Sequence, residues 1–105
     1  MRPLTLLLLL TLALCACAPA ALEADTQAAQ EVEQAATLAW HRMEAHFLET
    51  GAYSTAALRG LTMPRGTMWN LQGLADTSYE LRFGSSKVAG VVWTVTPGGV
   101  RRGRA

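Results

Sequence analysis

Two histidines and a glutamate lie close together in the segment His41-Arg42-Met43-Glu44-Ala45-His46, a combination of residue types that can hold a metal ion. Zinc-protease helices use a histidine pair with a neighbouring glutamate, spaced so that all three share one helix face. Here the histidines are five positions apart, which separates them by about 140° around a helix. Glu44 lies near His41 alone, and a third ligand is not evident. We interpret the segment as a solvated helix face and predict no metal and no cofactor.

Other residues that could take part in catalysis or ligand binding are also not set in a recognisable motif. The serines are not set in a nucleophile elbow, which disfavours nucleophilic catalysis. Gly84-Ser85-Ser86 and Gly98-Gly99 have no phosphate-loop context and are typical of turns. Trp40, Trp69 and Trp93 could line a ligand site, but each has apolar neighbours, and we predict that they pack in the core. The chain is therefore predicted not to be an enzyme.

Both cysteines of the chain, Cys15 and Cys17, stand at the end of an apolar run. Their spacing is short for a zinc-ligand pair, and a bridge between them could not staple a domain. The run from Leu4 to Leu14 follows Arg2, as the apolar part of a signal peptide follows its basic start. As a helix it would span about 16 Å, roughly half of a bilayer core. Its end, Leu14-Cys15-Ala16-Cys17, resembles a bacterial lipobox.

That resemblance implies that residues 1–16 are a cleaved signal peptide and that Cys17 carries lipid. The lipid would be a diacylglycerol thioether, usually with an acylated amino terminus, and two or more acyl chains make a stable membrane anchor. Ala18 rather than aspartate follows the cysteine, which favours the outer membrane of a two-membrane bacterium. We therefore predict a lipid-anchored cell-envelope protein. The alternatives are an ordinary secretory signal cut near residues 16–18 and an uncleaved anchor.

Charge excludes one class of partner. Without residues 1–16, the chain carries eight basic and eight acidic side chains. A balanced charge argues against a dedicated nucleic-acid binder, because such binding depends on neutralising phosphates. The tail residues Arg101, Arg102 and Arg104 are more typical of solvation and edge protection than of contact with anionic lipid or DNA. We expect no nucleic-acid partner, and no small-molecule substrate is identified.

A long helix is predicted next. After a Cys17–Leu22 tether, residues 23–49 lack glycine and proline and are rich in strong helix formers. Gly51 stands where a C-cap is expected. We predict that the C-terminal half of the helix is covered by the sheet, and that the half over residues 23–36 projects as a stalk suited to contact with an envelope partner. The covered half contains Trp40, Met43, Phe47 and Leu48.

Strand signals fill the rest of the chain, after a short turn or helix at 56–61. Ser78–Phe83 and Gly90–Thr96 alternate apolar and polar residues, which is typical of half-buried strands. Thr67–Gln72 places Trp69 and Leu71 on one face. Pro97-Gly98-Gly99 predicts a turn, after which residues 100–102 can return as a fourth, edge strand. The predicted fold is a single α+β domain over residues 23–105, a long helix packed on a three- to four-stranded antiparallel sheet.

This order of elements resembles the globular half of type IV pilins and pseudopilins. The likeness covers residues 23–102 and rests on short segments: Phe47 to Ser54 at the helix end, Tyr79 to Phe83, and Gly90 to Val100. It implies that the C-terminal half of the helix packs on the sheet. It also implies a structural or interaction role at a pilus, secretion or DNA-uptake apparatus.

The chain departs from pilins at its beginning. Residues 2–6 are not a prepilin-peptidase site, and the apolar run precedes a lipobox instead of continuing the helix. An accessory role at the envelope therefore fits better than polymerisation. The alternative hypothesis is a small envelope lipoprotein, unrelated to pili, that binds a hydrophobic ligand between helix and sheet. A space between Trp40 and Trp93 would favour that alternative, and a filled core would favour the interaction protein.

Overall fold

A computed structural model describes residues 20–105 of the chain, with side chains from Thr26 onward. Four strands pair antiparallel in chain order, and one helix packs on the sheet, which confirms the predicted α+β class. The predicted signal peptide, residues 1–16, and Cys17, the predicted site of lipid attachment, lie outside the described residues. The elements are helix α1 (Ala20–Thr50), a 3-10 helix (Thr55–Leu58), and strands β1 (Thr67–Ala75), β2 (Ser78–Ser85), β3 (Val88–Thr96) and β4 (Gly99–Arg104).

Helix α1 ends as its sequence predicts. The backbone N–H of Gly51 donates to the carbonyl of Phe47 over 2.7 Å, and Gly51 has φ +82°, a left-handed conformation that favours glycine. The hydroxyl of Thr50 donates to the carbonyl of His46 over 2.8 Å, which satisfies another carbonyl of the last turn. At the other end the described part of the helix begins at Ala20.

The core lies between α1 and the inner face of the sheet. Phe83 on β2 is paired with Trp93 on β3, and Leu81 with Val95, so their side chains share one face. All four are fully buried against Met43 of the helix. The period-two alternation predicted for β2 and β3 is confirmed, because the polar residues between these positions lie on the opposite face.

Two expectations about helix coverage are wrong. Leu48 is 84% exposed, since it lies five residues beyond Met43 and so about 140° from the buried stripe. The N-terminal half of α1 does not project as a stalk, because the sheet covers it as far as Ala29. Val32 and Ala36 are fully buried, and Ala29 belongs to the core. The physical reason is strand length. β1 and β3 have nine residues each, about 30 Å of extended chain, so the sheet covers more of α1 than its C-terminal half.

The connection between α1 and β1 ties helix and sheet together. The N–H of Tyr53 donates to the carbonyl of Asp76 in the β1–β2 turn over 3.0 Å. Leu58 of the 3-10 helix is buried in the core. At the other end, the N–H of Ser86 donates to the carbonyl of Gly66 over 3.0 Å, which fixes the start of β1 against the β2–β3 turn. This segment therefore joins both ends of β1 to the body of the domain.

Candidate functional site

The densest polar arrangement in the described part of the chain is one glutamate facing two tyrosines. Glu44 of α1 accepts a hydrogen bond from the Tyr53 hydroxyl, with 3.2 Å between Oη and Oε1. The Tyr79 hydroxyl lies 3.5 Å from Glu44 Oε2 and 3.3 Å from the carbonyl oxygen of Thr96, so its proton is shared between two acceptors. The two phenol rings meet edge to face at 4.6 Å. We call Glu44, Tyr53 and Tyr79 the Glu44 cluster.

The electrostatics of this cluster keep both phenols neutral. Burial is the main cause that raises the pKa of Tyr79 above its usual 10.0, and the negative charge of Glu44 raises it further. Burial also raises the pKa of Tyr53, with the hydrogen bond to Glu44 as the next cause. A catalytic base or nucleophile needs the opposite shift, toward neutral pH. The Glu44 cluster is therefore suited to fastening the helix to the sheet.

In the structure, the side chains of the segment His41 to His46 do not converge on one point. His41 is exposed and its ring contacts Trp40, with 4.9 Å between ring centres. Glu44, the carboxylate between the histidines, is turned toward the tyrosines. Within residues 26–105 no group of three histidine, cysteine, aspartate or glutamate side chains is arranged to hold a metal ion.

The three tryptophans occupy different places. Trp93 is fully buried, and the guanidinium carbon of Arg102 lies 5.3 Å from the centre of its ring. Trp40 is half-buried, and its indole N–H donates to the carbonyl of Pro97 over 3.4 Å. Trp69 is half-buried and stacks at 6.3 Å on Phe83. Trp93 therefore lies in the core as predicted, whereas Trp40 and Trp69 pack against the core and remain half-buried. Trp69 also lines a depression on the surface of the sheet.

Two depressions on the described surface are open to solvent. One, of about 480 Å³, lies beside α1 and is lined by Ala35, Leu38, Pro64, Arg65 and Lys87, among others. The other, of about 520 Å³, lies along β1, β2 and the start of β3. Neither is lined by Trp40 or Trp93. A small-molecule site usually encloses most of its ligand, and these shallow surfaces do not offer that enclosure.

Exposed apolar side chains concentrate on strand β1. Five large apolar side chains in the described part are well exposed, and three of them are Met68, Leu71 and Leu74. Leu71 was predicted on the same face as Trp69, and its register opposite Leu81 confirms that face, yet 41% of it remains exposed. Sequence reasoning missed this surface, because alternation identifies the inner face without telling how far the helix covers it.

Comparisons with known proteins add no family. No protein-family model matches the chain, and no curated protein matches it either. Among the helices of the described region, none combines the length and apolar character needed to cross a bilayer.

Proposed function

We propose that this protein is a lipid-anchored, non-enzymatic envelope protein that acts through contacts with other proteins. The observation that carries the proposal is the filled core. Met43, Phe83 and Trp93 are fully buried where a hydrophobic ligand would have to lie. This packing favours the interaction protein over the alternative, an envelope lipoprotein that binds a hydrophobic ligand between helix and sheet.

The anchor in this proposal is a lipid on Cys17, after removal of residues 1–16. Helix α1 begins at Ala20, three positions later, so the tether is short. Residues 20–28 add about 14 Å of helix before the core begins at Ala29. The domain would therefore stand close to the membrane surface, in the outer membrane by preference.

The finer part of the proposal is a pilin-like domain that is accessory to a type IV pilus, secretion or DNA-uptake apparatus. Its support is the shared order of a long helix and a four-stranded antiparallel meander. A partner would contact α1 over residues 23–36 on the sides turned away from the sheet. Because Val32 and Ala36 pack on the sheet, the surface left for a partner's helix is the flank of Glu31, which continues beyond residue 36 to the exposed Leu38.

The anchor is tested by the intact mass of the protein extracted from membranes of a bacterial host. We expect a chain that starts at Cys17 with two or three acyl chains attached. Cys17→Ala should abolish acylation and membrane retention, whereas the matched Cys15→Ala should leave both unchanged. A chain that starts at Met1, or one that starts at Ala18 without lipid, would refute the anchor. Co-precipitation of the acylated protein with pilus components, reduced by Leu38→Lys, tests the finer proposal.

A further inference from the structure

Strand β1 extends beyond the cover of the helix. Helix α1 packs mainly on β3 and also on β2 and β4. Leu71 and Leu74 of β1 lie opposite Leu81 and Tyr79 on the inner face, yet they are 41% and 45% exposed. On the outer face Met68 is 73% exposed. One edge of the sheet therefore presents apolar side chains on both faces.

The backbone along this edge is also open. Beyond its pairing with β2, the backbone hydrogen bonds near β1 in the described chain lie at its two ends, from Thr67 N to Pro64 O and from Tyr53 N to Asp76 O. The central residues of the strand therefore have unpaired groups on their free side. Such a row of donors and acceptors is a template for another strand.

The two edges of the sheet differ sharply in charge. Edge strand β4 contains Arg101, Arg102 and Arg104, whereas the nine residues of β1 contain no charged residue and no proline. Natural proteins usually protect open edges with charge or proline. In an antiparallel pair of identical strands, each charged residue would lie close to a like charge from the other copy. Pairing of β4 with a second β4 would therefore bring arginines close to one another, whereas pairing of β1 with a second β1 involves no such repulsion.

We propose that β1 pairs antiparallel with β1 of a second copy across a two-fold axis. The pair would form one eight-stranded sheet whose outer edges are both β4, so the arginines stop further growth and the assembly closes as a dimer. The register of β1 with β2 is regular from Thr67 to Leu71 and irregular between Leu71 and Gly73. The bulge bends the strand there, so the self-pairing centres on residues 67–71.

A contact of five regular residues is smaller than a stable dimer interface usually needs. The inference therefore rests on the proposed lipid anchor for its strength, because confinement to a membrane raises the effective concentration of the copies. The helices run antiparallel in such a dimer. With the two-fold axis normal to the membrane, both Cys17 anchors reach the same leaflet.

Cross-linking of introduced thiols in membranes tests the pairing. Residues 18–105 contain no cysteine, so introduced thiols report single positions. In this pairing Asn70 faces Met68 of the other copy, and the two Asn70 positions are diagonal neighbours about 7–8 Å apart. With a short bismaleimide that spans this distance, we expect Asn70→Cys, on the exposed side of β1, to give a covalent dimer. Arg101→Cys, exposed on β4, is the matched control and should give little. Equal yields at the two positions, or cross-links from Asn70→Cys solely to other proteins, would overturn the proposal.

A second pair of variants links the dimer to the apolar edge. In the Asn70→Cys background, Met68→Lys should lower the dimer yield about tenfold, because it sets lysines near each other across the axis. Leu48→Lys, on a side chain that is 84% exposed on α1, should leave the yield unchanged. An unchanged yield with Met68→Lys would contradict the pairing. The mass of the same sample separates the two proposals: an unacylated dimer refutes the anchor alone, and an acylated monomer refutes the dimer alone.

Discussion

Glu44 on helix α1 and Tyr79 on strand β2 meet at the rim of the core, with 3.5 Å between the carboxylate and the phenol oxygen, although 35 positions separate them in the chain. Tyr53 donates to the other oxygen of the same carboxylate. Since Tyr53 also bonds through its backbone to the β1–β2 turn, one glutamate connects the helix, the connecting segment and the sheet.

Removal of the Tyr79 hydroxyl tests the strength of this connection. Tyr79→Phe should lower the free energy of unfolding by about 1.5–3 kcal/mol, the usual contribution of a hydrogen bond to a charged group. Urea unfolding followed by circular dichroism measures it. In a Glu44→Gln background the cost should be smaller, because the charge that the phenol faces is gone. If Tyr79→Phe lowered the free energy of unfolding equally in both backgrounds, the Thr96 carbonyl alone would be the effective hydrogen-bond acceptor for the hydroxyl.

The Glu44 cluster also predicts how stability depends on alkaline pH. The pKa values of Tyr53 and Tyr79 are raised in the folded protein above the usual 10.0. Their contribution to stability is therefore fully present below pH 10.0 and is lost as the pH rises toward the folded values, because the unfolded chain releases these protons first. We expect the free energy of unfolding to fall above about pH 10.

Glu44→Gln should make that alkaline loss smaller, because it removes the charge that opposes ionisation of the phenols. Ultraviolet absorbance can follow the ionisation directly, since the chain has two tyrosines and both belong to the Glu44 cluster. The variant should ionise at lower pH than the unmodified protein. Superimposable titration curves would mean that burial alone sets the two pKa values.

Gly66 is a position where the backbone requires glycine. Its φ is +87°, and a Cβ added there would lie 2.9 Å from Ser86 Oγ. Gly66→Ala should therefore destabilise the protein by about 1–3 kcal/mol, from backbone strain and displacement of the serine. Gly73→Ala is the matched control, since its added Cβ meets nothing within 4 Å and its φ is ordinary. Thermal unfolding should separate the two variants, and equal midpoints would contradict the assignment.

Core packing predicts a contrast between two apolar residues of one helix. Met43 is fully buried, so Met43→Ala should cost about 2–5 kcal/mol through lost contacts and the cavity that remains. Leu48 is 84% exposed, and Leu48→Ala should change stability by less than about 0.5 kcal/mol. A single urea series measures both. A large effect of Leu48→Ala would indicate that a partner or a second copy covers this side chain.

The sequence predicted the helix and the β2 and β3 strands because each carries a complete local signal. Residues 23–49 combine helix formers with a stripe of regular spacing, and Gly51 provides the stop. Tyr79, Leu81 and Phe83 alternate with polar residues, so the buried face of β2 follows from period two alone. These features depend on neighbours within a few positions, which is why they could be identified without coordinates.

Tertiary structure decided what no local pattern contains. Glu44 is one helical acid among several until the fold brings Tyr53 and Tyr79 to its two oxygens. Leu71 belongs to the inner face by alternation, but its exposure depends on α1 lying over β3 instead of β1. The helix position across the sheet is set by where the largest buried side chains interlock. That is a property of the whole core, and it leaves β1 uncovered.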